Sequence, residues 1–213
     1  MTTAPNPIAI VHLDESCLGN GRRGANPGGA GGLIETRSDG RIERRDVYLH
    51  DPDTTNNRMA LAGALTILEV LGNGGGGGGH IRVVMVSDSQ YLVRGMREWV
   101  PAWRARNWTR KGGPIENLAL WRSLVAAAAN HAVQWTWVRG HRGHVKNEYA
   151  NDLAVAAATE QISSPGAVTS GFGDWLAANH ARGKYLDYDA DAAFTGLELR
   201  VIDGERLPLG AAR

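Results

Sequence analysis

The sequence predicts an α/β domain: a five-stranded mixed sheet with helices on its faces and a C-terminal extension. Three observations predict it. An early pair of strand-like runs is separated by a tight-turn tripeptide, which reads as an antiparallel hairpin. The later strand-like runs are joined by helical stretches, which reads as parallel pairing. The 213 residues are 43% hydrophobic and 21% charged, enough to bury one core and too apolar for global disorder.

The elements follow in order. Ile8 to Leu13 (IAIVHL) is a short apolar run, a buried strand. A glycine-rich turn is expected from Gly19 to Gly32. Strands over Ala30–Thr36 and Ile42–Leu49 flank Ser38-Asp39-Gly40, the hairpin signal. Asn56 to Leu71 carries apolar residues at Met59, Leu61, Leu65, Leu68 and Leu71, a helix that Thr55 or Asn56 can cap. Seven glycines between Gly72 and Gly79 make a connector; no Lys-Ser/Thr follows, so it is no phosphate cradle. Ile81–Val86 is a buried strand, Ser89–Glu98 a helix, and residues 99–113 a basic, tryptophan-rich stretch. A helix over Ile115–Asn130, a strand over Val133–Val138 and a helix over Asn147–Glu160 complete a body of residues 1–160. Ser163-Ser164-Pro165-Gly166 reads as a linker. Residues 161–213 form an extension of unassigned role, with Trp175, Leu176, Tyr185, Leu197 and Val201 available to pack on the body.

Composition narrows function. A single cysteine excludes a disulfide framework and a cysteine-built zinc site. No apolar run approaches the roughly 18 residues that span a bilayer, and Met1 to Pro7 is not a secretory signal, so a reduced, cytoplasmic setting is expected. The net charge of +1 hides an asymmetry: residues 160–213 hold 5 Lys/Arg against 8 Asp/Glu, and the rest hold 18 against 14. A mildly basic body suits a polyanionic partner. Asp14-Glu15 falls near the end of the first strand and Asp88 at the end of the Ile81–Val86 strand. If those strands are parallel neighbours, the three carboxylates share one rim, where open α/β sheets place their sites. Clustered carboxylates repel, and a divalent metal relieves them.

Five runs carry a family resemblance: HLDESCLGN (12–20), TTNNRMALAG (54–63), VSDSQYLVRG (86–95), WVPAWRARNW (99–108) and WTWVRGHRGHVKNEYANDLA (135–154). Together they resemble the type 1 ribonucleases H over residues ~8–160. The resemblance implies a ribonuclease H-like fold and endonucleolytic hydrolysis of the RNA strand of an RNA/DNA hybrid, leaving 5′-phosphate and 3′-hydroxyl ends. It further implies four carboxylates holding two Mg2+ ions (Mn2+ as a substitute), a monomer, and neither a membrane nor a small-molecule cofactor. Two of the four acids depart from the pattern. Ala60 stands where the family's first-helix glutamate belongs, and Asn151 where the last helix has its aspartate. Asp88 is kept, and Glu15 follows Asp14, as in type 2 enzymes.

Three readings are open. Glu15 replaces the missing glutamate; or the site is silent, naturally or by engineering; or Glu15 is incidental. The first needs Glu15 brought round the strand end, because neighbouring strand residues point to opposite faces. It gives a site of Asp14, Glu15, Asp88 and Asn151, in which Asp14 bridges both ions, Asn151 serves the ion that activates water, and Glu15 and Asp88 serve the ion at the leaving 3′-oxygen. Asn151 ligates through its carbonyl oxygen without charge. Asp152 is rotated about 100° away on the helix and is a poor substitute. His141 matches the family's proton-shuttling loop histidine; His144 matches a structural position.

For substrate, Asn20, Asn57 and Gln90 match minor-groove contacts and Thr55 a DNA-phosphate contact, with backbone around Cys17 and Asn20 reading 2′-hydroxyls. Trp99, Trp103 and Trp108 interleave with Arg97, Arg104, Arg106, Arg110 and Lys111 in a basic protrusion that tracks phosphates, and Asn107 takes its tight turn. A catalytically silent hybrid-binding protein and a DNA-strand transferase on the same fold are the rival readings.

Overall fold

The structure is a computed structural model and describes residues 7–19, 25–73, 80–140 and 143–207. Its six strands are β1 (Ile8–Cys17), β2 (Gly28–Ser38), β3 (Arg41–Asp51), β4 (Arg82–Ser87), β5 (Ala132–Trp137) and β6 (Val168–Thr169). The helices are α1 (Asn56–Asn73), α2 (Gln90–Arg94), α3 (Val100–Arg104), α4 (Leu118–Ala128), α5 (Val145–Glu160), α6 (Phe172–Ala181) and α7 (Ala190–Ile202), and a π-helical turn, Gly95–Trp99, joins α2 to α3. The strand order is β5-β4-β1-β2-β3-β6. β1 pairs antiparallel with β2 and parallel with β4, β4 pairs parallel with β5, and β3 pairs antiparallel with both β2 and β6.

Local chemistry explains the elements. Asp39 (φ 48°) and Gly40 (φ 76°) both adopt the left-handed conformation that a two-residue hairpin turn requires. The Thr55 hydroxyl accepts from the Arg58 amide at the start of α1. Ser89 accepts from Leu92 at the start of α2. One sheet face carries the main core, where Ala9, Val11, Leu13, Val83 and Met85 meet α1 residues such as Leu61 and Leu68 and α4 residues Trp121 and Leu124.

Two expectations change. The glycine-rich stretch does not turn throughout: Gly28 to Gly32 belong to β2. The reason is close approach, not flexibility. A Cβ at Gly29 would lie 2.2 Å from the Ala154 carbonyl oxygen, and one at Gly31 would lie 2.4 Å from that of Ala150. Bare backbone lets α5 press onto the sheet.

The second change is the sheet, which gains a sixth strand from the extension. β6 pairs Val168 with Asp46 and Thr169 with Arg45. Ser163 and Ser164, read as linker, bond to β3 through the His50 and Tyr48 amides. Phe172 packs with Leu33 and Tyr149, and Phe194, Val201 and Leu207 pack with Ile8, Ile10 and Val84. The extension therefore covers the sheet face opposite α1 and α4. No helix among the described residues is long and apolar enough to cross a membrane. The connector of residues 74–79 lies outside the described residues.

Candidate active site

The parallel register of β1 on β4 runs to Leu13 beside Ser87 and sets Asp14 next to Asp88 where β4 stops, while β1 continues to Cys17. Asp14 is 5% exposed, while Glu15 and Asp88 are half-buried. One oxygen from each of the three carboxylates lies within 4.8 Å of the others.

Alternation along β1 resolves how Glu15 joins them. Leu13 points to α1, since a Cβ at Gly63 would lie 2.9 Å from its Cδ1. Asp14 points to α5, where Asn147 Nδ2 donates to its Oδ2 at 2.8 Å. Glu15 returns to the α1 side. Two residues on, Cys17 flanks the same point on Gly28 as Met59 of α1. Glu15 thus belongs to the face of β1 that looks onto α1, where Ala60 is a fully buried methyl. Asp14 Oδ1 accepts the Glu15 amide at 2.7 Å, and both carboxylates still reach Asp88 at the rim.

Burial, and then the neighbouring Asp88 charge, push the Asp14 carboxyl up to about 8, against the pull of its bonds from the Glu15 amide and Asn147. Burial and both aspartates raise Glu15 as well, opposed by a hydrogen bond from Ser89. Among the described residues, the buried Glu15 Oε2 has no hydrogen-bond partner. Hard oxygen donors, mutual repulsion and a buried orphan oxygen fit a divalent cation. Burial, then the Glu15 charge, push the Cys17 thiol up to about 11, so it is no nucleophile.

Asn151 sits one α5 turn beyond Asn147, half-buried, in the stretch whose backbone lies on Gly31, the β2 partner of Asp14. Asp152 turns away, exposed, to accept from Trp175 Nε1 at 2.8 Å. His141 and Asn20 lie outside the described residues. Asn57, Gln90 and Thr55 are exposed at the N-terminal ends of α1 and α2.

In the protrusion Arg104, Arg106, Arg110 and Lys111 are exposed. Asn107 (φ 51°) takes the tight turn together with Trp108 (φ 61°). Trp103 stacks inward, 6.0 Å from Trp99 and 5.7 Å from Trp121. Trp108 is half-buried under the Arg122 guanidinium. Arg97 leaves the basic face, because its guanidinium bonds the Trp135 and Leu207 carbonyls.

Sequence reasoning missed three contributors. Asn147 fixes Asp14, and only its one-turn spacing from Asn151 signals it. Ser89 serves Glu15 and follows Asp88 directly. Gly140 leaves room for Asp88, since a Cβ there would lie 2.0 Å from Oδ2; nothing in the sequence distinguishes it from a turn glycine.

The family model for RNase H matches residues 6–159. The chain is 38% identical to the Ribonuclease H of Pelobacter propionicus over 165 residues, 77% of this chain and 91% of that one. It is 40% identical to the Ribonuclease H of Halorhodospira halophila over 162 residues, 76% of this chain and 99% of that one. Among solved structures it is similar to LC9-RNase H1, a type 1 RNase H with the type 2 active-site motif, at 52% identity and a TM-score of 0.75, covering 83% of each chain. With the acidic rim on a mixed sheet and a match across that whole body, the chain belongs to the ribonuclease H family, the hydrolases that cut within RNA/DNA hybrids.

Proposed function

We propose that the chain hydrolyses the RNA strand of RNA/DNA hybrids through a two-metal site made of Asp14, Glu15, Asp88 and Asn151, with Glu15 standing in for the acid that Ala60 lacks. The observation that carries this reading is the convergence of Asp14, Glu15 and Asp88 oxygens within 4.8 Å. The similarity to a type 1 enzyme with a type 2 active-site motif supports it.

Two bound divalent ions would neutralise the carboxylates, lower the pKa of the attacking water and stabilise the leaving 3′-oxygen, giving 5′-phosphate and 3′-hydroxyl ends. Asp14 would be shared by the two ions, Glu15 and Asp88 would help hold the one that stabilises the leaving 3′-oxygen, and Asn151 the one that lowers the pKa of the water. Asn147 orients Asp14 by its 2.8 Å bond. His141, which matches the family's loop histidine, would move a proton.

The catalytic unit is residues 1–160, acting as a monomer. Exposed Thr55, Asn57 and Gln90 meet the hybrid together with Asn20 and the backbone near Cys17, while Arg104 and Arg106 track DNA phosphates on a protrusion that Trp103 and Trp108 stiffen.

A labelled hybrid incubated with the protein under Mg2+ and Mn2+ titration, with Glu15→Ala alongside, tests the reading. Cleavage should fall about 10²-fold or more in Glu15→Ala. An undiminished rate in that variant would remove Glu15 from the site. Tight hybrid binding without cleavage under either metal would leave a silent binding protein.

A further inference from the structure

The extension does more than cover the sheet. It touches α5 along its first two turns: the Ala190 carbonyl accepts from Lys146 Nζ at 3.0 Å, the Tyr185 hydroxyl donates to Glu148 Oε2, and Trp175 Nε1 donates to Asp152. Phe172 and Trp175 pack edge-on against Tyr149. The middle contact is unlike the others. Glu148 uses its second oxygen, Oε1, to accept the Gly143 amide at 3.1 Å. Gly143 lies in the connection between β5 and α5, and the same connection abuts the active site at Gly140, directly on Asp88. One carboxylate therefore joins the extension to Gly143, and its neighbour Asn147 holds Asp14.

We propose that Tyr185 is a positioning residue for the reaction: acting through Glu148, it fixes Gly143 and the start of α5, whose Asn147 holds Asp14 beside Asp88. The inference rests on the reading of Asp88 as a site residue. Glu148 could bond the Gly143 amide by itself as a helix-capping acid, but a lone carboxylate rotates freely about its last bonds. The tyrosine hydroxyl fixes its second oxygen. Tyr185 is placed for this at a cost, in the left-handed region at φ 57°, which bulky residues avoid. Its ring is held by stacking on Trp175, with centroids 5.8 Å apart and planes 23° apart, and Trp175 stacks in turn on Phe172. Burial and the Glu148 bond push the hydroxyl up to about 12, so it remains a donor over the working pH range.

The test is Tyr185→Phe in the full chain, which keeps the ring stack and removes the donor. Three readouts are taken: kcat and KM on a hybrid at saturating metal, the Gly143 amide resonance and its exchange rate, and the melting temperature. Arg37→Ala is the control. It loosens the far end of the extension, where Arg37 bonds Glu198 and Thr195, without touching Glu148. The expected result for Tyr185→Phe is kcat lower by about three- to tenfold with KM little changed, and a shifted, faster-exchanging Gly143 amide. Arg37→Ala should lower the melting temperature and leave kcat and the amide alone. An unchanged kcat in Tyr185→Phe overturns the proposal, and so does an equal loss in Arg37→Ala, which would mean general loosening. A wild-type protein inactive on hybrid would sink the functional reading and the positioning role together; an active wild type with an unaffected Tyr185→Phe sinks the positioning role alone.

Discussion

Asn147 and Asp14 meet across the interface of helix and sheet, 2.8 Å from amide nitrogen to carboxylate oxygen, in a buried setting. The bond exists because α5 lies closer to β2 than side chains would allow. Gly31, the register partner of Asp14, has the Ala150 carbonyl where its Cβ would be.

Gly31→Ala should therefore push α5 off the sheet and carry Asn147 and Asn151 away from Asp14. Overpacking of this kind costs about 1–3 kcal/mol. Urea unfolding should show the loss in the midpoint, and hybrid cleavage should fall by more than stability alone explains, since the variant remains folded at working temperature. A variant with an unaltered midpoint would show that the helix adjusts without strain.

Gly140→Ala acts on the other side of the rim. Its methyl would sit 2.0 Å from Asp88 Oδ2, so the carboxylate has to rotate out of the cluster. The expected outcome is a higher metal concentration for half-maximal cleavage with little change in melting temperature, because the site is at the surface edge. Isothermal titration with Mn2+ checks this directly. An unchanged metal affinity would mean that Asp88 does not need its present rotamer.

The acidic rim was legible in the sequence because strand order, read from hairpin and crossover signals, forces Asp14 and Asp88 together. Glu15 was harder, since alternation along a strand argues against two neighbours sharing a site. What the pattern hides is that both side chains reach Asp88, where β4 stops short of β1. Asn147 and Gly140 were invisible for a different reason: their roles depend on how near α5 and the β5–α5 connection come, a distance set by Gly29, Gly31 and Asp88 jointly. The extension was opaque because its anchors, such as Arg44 with Asp191 and Arg37 with Glu198, pair residues far apart in the chain.

Stability should couple to pH and metal through Asp14. Its folded carboxyl is raised to about 8, while the unfolded chain titrates near the ordinary value of about 4. Below about 4 both states hold the proton and nothing is lost. As pH rises from there toward 8, the unfolded chain releases its proton while the folded one retains it. Folding then loses up to about 1.4 kcal/mol per pH unit. Metal-free protein should melt progressively lower across that range, and Asp14→Asn should melt less steeply. Mg2+ should raise the melting temperature most at the alkaline end, where it finds the carboxylates unprotonated. Parallel melting curves for wild type and Asp14→Asn between pH 4 and 8, in the absence of metal, would contradict this.

The exchange of positions between Glu15 and Ala60 yields the sharpest prediction. Both lie on the α1 side of β1, with Leu13 against Gly63 before them and Cys17 near Met59 beyond. A glutamate at position 60 would enter the space that Glu15 now fills. In the wild-type background, Ala60→Glu should destabilise the metal-free protein by about 1–3 kcal/mol, because it adds a fourth acid to a fully buried position. In a Glu15→Ala background the same substitution should restore cleavage by at least about tenfold over Glu15→Ala alone. Cleavage gained from Ala60→Glu only where Glu15 is absent is the signature of one carboxylate place shared by two residues. If Ala60→Glu is harmful in both, the two side chains do not substitute for each other, and Glu15 then acts from a place of its own.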